Sequence, residues 1–238
     1  MRPIFLKSLF YFHLTCKCRN KGKNNKIFYR GAFPKGISFY FSGNNNKIFF
    51  GENSRILNSK VVVRGNNHTL VIEKDCVIKD SSFDFKDNDC CISIGDNTTS
   101  EGINIMVNEN GPTIKIGRDC MFSYGISIRS GDGHSIIDLQ TRMRINPVRD
   151  IVIEDHVWVG AYSNILKGSI IRSDSIIGLS SVVAGEVKSN TIVAGIPAKE
   201  LKNGITWTRE RHAIDQPVSE NLLWEETVKA YRGSAVVP

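Results

Sequence analysis

His134 has the side chain and setting best suited to chemistry, in the polar run Ser130-Gly-Asp-Gly-His-Ser. An imidazole, with its usual pKa of about 6.5, can take a proton from a hydroxyl near neutral pH. Gly131 and Gly133 permit a tight turn that would hold the ring out into a cleft. Asp132 and Asp138 are the carboxylates placed to hold the second ring nitrogen. The sequence does not choose between them, and leaves open that both are solvated. Trp158 offers an indole N–H, a donor that cannot accept, and reads either as a working group or as a buried subunit contact. His156, two residues before it, reads as a corner hydrogen-bonder rather than a second base. His13, His68, His134, His156 and His212 show no spacing that brings three ligands onto zinc, so no metal is expected.

The elements that must position these residues repeat. Ile153, Val159, Ile165, Ile171, Ile177 and Val183 stand six apart without a skip. Neither a helix nor a lone strand has that period. A triangular solenoid of parallel strands has it, with each hexad forming one side of a coil. An earlier repeat is longer: Phe50, Ile72, Ile94 and Ile116 stand 22 apart, each followed three residues on by Asn or Asp, which suits a tight corner. Ile56, Ile78, Ser100 and Phe122 are expected on the second side, and Val62, Asp84, Met106 and Ile128 on the third, with Asp84 breaking the pattern. The span 129–150 breaks register between the two repeats and reads as a functional loop.

The expected organisation is a leading segment over 1–35, the coil over 36–200 and a tail over 201–238. In the tail, Ser219 to Arg232 reads as a short helix capped by Ser219 and striped by Leu222, Leu223, Val228 and Tyr231. The apolar and aromatic stretch Met1 to Leu14 is interrupted by Lys7 and His13 and lacks a cleavage site, so a signal peptide is not expected. It reads as packing on the coil or on a neighbouring subunit, with a weak peripheral membrane contact as the alternative.

The chain is 41% hydrophobic and 23% charged, which suits a globular domain. Its net charge of +7 suits anionic partners, but no nucleic-acid motif or dense Lys/Arg run is present, so no nucleic-acid partner is expected. None of the six cysteines has CxxC spacing, and reduced thiols in a cytoplasm fit best. Cys76 and Cys120 fall at small-residue positions of the coil and are expected to be buried.

The stretches Ser-Gly-Asp-Gly-His134-Ser-Ile-Ile-Asp, Arg144-Ile-Asn-Pro, Ile-Glu-Asp-His-Val-Trp158-Val-Gly160 and Ala-Gly-Ile-Pro197-Ala-Lys199 resemble the hexapeptide-repeat acyltransferases. Within them they resemble most the capsular polysaccharide and lipopolysaccharide O-acetyltransferases, including polysialic acid O-acetyltransferases. The motifs cover about residues 112 to 207; before that only the repeat speaks. The resemblance implies a left-handed parallel β-helix, usually a homotrimer with active sites between subunits. It implies acetyl-CoA as donor, a glycan hydroxyl as acceptor, His134 as general base and Trp158 working beside it. Gly160, Ser180, Lys199 and Lys202 match positions that hold the coenzyme, although Ala184-Gly185 stands where many relatives carry Thr-Lys. Asp132, Arg142 and Arg144 are the candidates for contacting the acceptor, the arginines by meeting an acidic sugar such as sialic acid; a solvated loop is the equal alternative. No cysteine follows Cys120 and no Gly-x-Ser-x-Gly elbow appears, so direct attack in a ternary complex is expected rather than an acyl-enzyme. The rival readings are an N-acyltransferase acting on an amino sugar and a non-catalytic trimeric scaffold.

Overall fold

The computed structural model describes residues 15–224. Three sheets wrap into one triangular prism, and the chain visits them in fixed rotation. Face A runs from Lys17–Asn20 to Val182–Val183 in eight strands, and face B from Lys26–Tyr29 to Glu186–Val187 in eight. Face C has nine strands, from Phe33–Lys35 to Thr191–Ala194 and a last strand, Lys199–Asn203. Pairing around the coil is parallel, as in Ile48 with Leu70 and Ile165 with Val183. Lys199–Asn203 instead folds back antiparallel along Thr191–Ala194. No helix among the described residues is long and apolar enough to cross a membrane.

The alternation of a strand explains the core. Four-residue strands such as Ser38–Phe41 and Lys47–Phe50 turn two side chains inward, Phe39 with Phe41 and Ile48 with Phe50. Two-residue strands of the hexad region turn in one each, and Val159, Ile165, Ile171 and Ile177 are fully buried. Phe50, Ile72, Ile94 and Ile116 point inward on face B, and Ile56, Ile78, Ser100 and Phe122 do so on face C, as the spacing predicts.

The third side departs from expectation. Asp84 stacks in register with Val62 and Met106 but points outward between the buried Phe83 and Phe85. The inward ladder on face A is Val61, Phe83, Ile105 and Ile128. A one-residue slip reverses every side chain of a strand, so Asp84 interrupts nothing. Ile128 rejoins the inward set because Ile105 and Ile128 pair across a coil one residue longer than the others.

The corner between faces B and C uses one backbone conformation throughout. Asn53, Asp75, Asn97 and Asp119 have φ of 57°, 59°, 59° and 49°, in the left-handed region where short polar side chains are tolerated. His156, Asp174 and Asn190 continue the series at 54°, 62° and 57°. Cys76, Cys90 and Cys120 are buried, and burial pushes each thiol up to about 12. Cys91 faces the other way and is half-buried.

The coil begins before residue 36. Lys17–Asn20, Lys26–Tyr29 and Phe33–Lys35 form a complete first turn paired to the second. At the other end, the described part of the expected helix is a 3-10 turn at Glu220–Leu222, and the side chain of Ser219 makes no capping bond to it. The rest of that helix, with Val228 and Tyr231, lies outside the described residues, as does the stretch Met1 to Leu14.

Candidate active site

The loop leaves face A after Ile126–Arg129 and rejoins face B at Ile151–Ile153. Its ends meet, because Arg149 N donates to Ser130 O at 3.0 Å. A Cβ on Gly131 would lie 2.8 Å from both Asn108 Oδ1 and Val148 Cγ1, so the crowded base of the loop requires glycine. Gly133 needs its freedom for a different reason, a φ of +78° in open space.

Beyond the base, the chain forms a small hairpin. Ile137 bridges Arg144 antiparallel, and Ile145 N donates to Ile136 O at 2.9 Å. The tip is closed by the Asp138 carboxylate, which accepts from Thr141 N at 2.7 Å, Thr141 Oγ1 at 2.8 Å and Gln140 N at 3.1 Å. These bonds, led by the Thr141 backbone N–H, hold its carboxyl below the usual range.

Asn146 is the hub of the loop. Its Oδ1 accepts from Ile136 N at 2.7 Å and Arg144 Nε at 3.1 Å. Its Nδ2 donates to His134 O at 2.8 Å and Asp132 Oδ2 at 2.7 Å. Two ion pairs tie this hub to the prism on either side. Asp132 Oδ2 accepts from Lys167 Nζ at 2.6 Å, and that pairing holds the carboxyl below its ordinary value. Arg144 forks onto Glu109, NH1 to Oε2 at 2.9 Å and NH2 to Oε1 at 2.5 Å.

The result is a fixed backbone carrying a free ring. His134 is exposed, and its imidazole has no hydrogen-bond partner among the described residues. Neither candidate carboxylate holds the ring: Asp132 is committed to Lys167 and Asn146, and Asp138 to the hairpin tip. The arginines differ sharply. Arg144 is engaged with Glu109, whereas the exposed Arg142 side chain has no partner among the described residues.

Trp158 lies on face C, turned outward and 39% exposed, between Met121 and Ile176 of the adjoining coils. The loop emerges where face A meets face B, which in a triangular section is the corner across from face C. One protomer therefore keeps His134 and Trp158 apart. Gly160 and Ser180 sit together at the corner where face C meets face A, with Ser180 N donating to Ala161 O. A Cβ on Gly160 would stand 2.7 Å from Leu179 N, so close stacking of coils explains that glycine. Lys199 and Lys202 are exposed on the final strand, and Lys199 borders a cavity of about 160 Å³ at the end of the coil. A larger open groove, about 510 Å³, follows the corner between faces B and C, away from the loop, and is lined by both signs of charge, including Glu52, Lys74, Asp96 and Arg118.

His156 is buried and closed off. Its Nδ1 is 2.9 Å from Asp174 Oδ1, and the indoles of Trp207 and Trp224 stack on its ring at 4.1 and 4.9 Å. Trp207 Nε1 donates to His156 O, and Arg209 reaches Asp119, Thr99 and Cys120. This clasp binds the tail to the coil and leaves His156 no access to a substrate. Sequence reasoning finds neither the clasp nor the role of Asn146; for Asn146 the sole signal is its place before Pro147.

No family model matches the chain. The polysialic acid O-acetyltransferase of Escherichia coli O1:K1 / APEC is 37% identical over 89 residues, 37% of this chain and 29% of that protein. The polysialic acid O-acetyltransferase of Neisseria meningitidis is 37% identical over 126 residues, 53% of this chain and 58% of that protein. These matches span less than two thirds of the curated relatives' lengths. The crystal structure of the polySia-specific acetyltransferase NeuO is 30% identical, with a TM-score of 0.77 over 92% of this chain and 98% of that one. The chain belongs to the hexapeptide-repeat acyltransferases. Its prism is the left-handed parallel β-helix of that family. The excursion at 130–150 and the buried ladder beneath it are thus parts of an acyltransferase.

Proposed function

We propose that this acyltransferase moves an acetyl group from acetyl-CoA to a sugar hydroxyl of a surface glycan, with His134 as general base. One observation carries the reading: the exposed imidazole of His134, without a partner among the described residues, stands on a backbone fixed by Asn146. A free ring nitrogen takes the hydroxyl proton as the oxygen attacks the thioester carbonyl. The C–S bond then breaks, and the proton held by His134 goes to the departing thiolate. Holding both substrates together supplies much of the rate, up to about 7–11 kcal/mol in well-oriented cases.

Support for an assembly comes from where the parts lie. His134 and Trp158 are on opposite sides of one prism, so a site using both takes the loop from one copy and face C from another. The hairpin is suited to being covered, since Ile136, Ile137, Leu139, Met143 and Ile145 are all exposed. In that arrangement the Trp158 N–H is available to the developing oxyanion or to the acceptor. Gly160 and Ser180 offer backbone and small side chains to the pantetheine arm, and Lys199 and Lys202 offer charge to its phosphates. Asp132 contributes by fixing the loop, and Arg142, unpaired among the described residues, is placed to meet an acidic sugar.

Co-expression tests the arrangement directly. His134→Ala and Trp158→Ala should each lower acetyl-CoA turnover on a sialic acid polymer by about 10²–10⁴-fold for the base and less for the indole. Co-assembled, the two variants should regain a measurable fraction of activity, because some interfaces then combine an intact loop with an intact face C. Activity no higher than that of either variant alone would rule out a shared site. The acceptor reading has its own test. Arg142→Gln should raise KM for an anionic glycan much more than for a neutral one; equal effects would remove Arg142 from acceptor recognition.

A further inference from the structure

The net charge of +7 is not spread along the prism. The first coil, residues 15–36, holds seven basic residues and no acidic one. The second, 37–58, holds Lys47 and Arg55 against Glu52, and the third, 59–80, four basic residues against three acidic. The fourth, 81–102, is acidic, with Lys86 against Asp84, Asp87, Asp89, Asp96 and Glu101. Basic character is therefore concentrated in the terminal coil and reverses three coils in, at about 15 Å for a strand spacing of about 4.8 Å. At 0.1 M salt that exceeds the Debye length of about 10 Å, so a body meeting this end is dominated by the cationic coil.

The charges encircle the axis. Lys17 and Arg19 stand on face A, Lys21 and Lys23 at the next corner, Lys26 on face B, Arg30 at its far corner and Lys35 on face C. All are exposed, and none takes part in an ion pair among the described residues. Their strands are the terminal ones of the three sheets, so the ring is the rim of the prism. Lysines on terminal strands also discourage edge-to-edge pairing, which accounts for Lys17, Lys26 and Lys35. Lys21, Lys23 and Arg30 extend the charge to the corners between the strands, where the backbone also bonds the second coil. Phe33 and the outer side of Phe28, which stacks on Phe49, are part-exposed among these cations and add apolar surface to the rim.

We propose that this rim docks end-on to an anionic phospholipid surface. A ring of charge around the axis fits a plane perpendicular to that axis; a polyanionic chain would be served by a stripe along one face. The proposal is independent of the acyl-transfer reading, because lipid binding needs neither acceptor nor acetyl donor.

Vesicle co-sedimentation of the full chain tests it. Binding is expected to vesicles of phosphatidylglycerol and phosphatidylcholine, not to phosphatidylcholine alone, and should weaken from 0.1 to 0.5 M salt. Each neutralised cation near the surface should cost about fivefold, so the triple variant Lys21→Gln, Lys23→Gln, Lys26→Gln should lose about a hundredfold. Glutamine at Lys86, Lys115 and Arg211, remote from the rim, should leave binding unchanged. Equal binding to both vesicle types, or equal loss in the two triple variants, would overturn the proposal. So would retention on a sialic acid polymer through the same three lysines with no vesicle binding, since the rim would then be a glycan-docking surface. Circular dichroism melting of both variants separates lost binding from lost fold.

Discussion

The two halves of the prism solve one packing problem with different bores. Most coils before the loop repeat every 22 residues, and their face A and B strands from Ser38 onward turn in two or three side chains each. Coils after it repeat every 18, shortening to 16 at the last, and their two-residue strands turn in one side chain each. The wider bore is filled by aromatics, including Phe41, Phe50, Phe83 and Phe85, and no phenylalanine occurs after Phe122. The additional residues sit at the corner between faces A and B, where Asn44, Asn66, Asn88 and Asn110 stack and hydrogen-bond side chain to side chain. The loop that carries His134 is the same corner, enlarged once more where wide coils give way to narrow ones. The narrow coil after it has only Leu166 to Ser169 at that corner, which lets Lys167 reach Asp132. A change of coil width is thus also what makes room for the loop.

The difference in bore can be broken from both sides. Phe83→Ala should destabilise the fold by about 3–5 kcal/mol by leaving a void in the wide half. Ile177→Phe should cost about 1–3 kcal/mol by overfilling the narrow half. Denaturant melts measure both, and a neutral Ile177→Phe would mean that the two bores are alike. The junction gives a smaller effect on stability and a clear one on rate. Asn146→Ala frees both backbone segments beside His134, so kcat should fall up to about a hundredfold with little change in melting temperature. A large loss of stability with normal kcat would make Asn146 a fold residue instead.

The smallest effect belongs to the wide half alone. His68 is buried in a stack that runs from Asn46 Oδ1, which accepts from His68 N, to His68 Nδ1, which accepts from Cys90 N at 3.2 Å. Burial lowers its pKa, so the folded state favours the neutral ring. Its contribution is complete above the unfolded value of about 6.5 and is lost as pH falls through the lower folded value. The melting temperature should drop from pH 7 to pH 5, and His68→Asn should flatten that part of the profile. An unchanged slope would show that other groups set it.

The solenoid was legible because its signal is local and periodic: one aliphatic residue per hexad, and one Asn or Asp per corner. The third side was misjudged by one residue because corner residues do not count toward strand alternation, and sequence alone does not say where a corner ends. The first coil escaped notice because Lys17–Asn20 is exposed throughout. Its signal is Gly22…Lys26-Ile27 against Gly43…Lys47-Ile48, 21 residues apart rather than 22. At the candidate site, the loop that carries His134 is visible from register and composition. The ties that hold the loop are not: Glu109 to Arg144 and Asp132 to Lys167 each span 35 residues and follow no period. The clasp of His156 by Trp207, 51 residues away, is invisible for the same reason.

The bond from Arg149 N to Ser130 O has a consequence for how such enzymes diversify. It seals the neck of the excursion, and the Asp132–Lys167 and Arg144–Glu109 pairs brace the stems above it, so the prism does not register how long the tip is. The hairpin tip is then an exchangeable cassette: insertions or swaps between 138 and 142 can reshape what the enzyme greets without disturbing the stacking that keeps it folded. Were the tip to meet the acceptor as proposed, a change of length there alone would shift preference while the scaffold stayed constant.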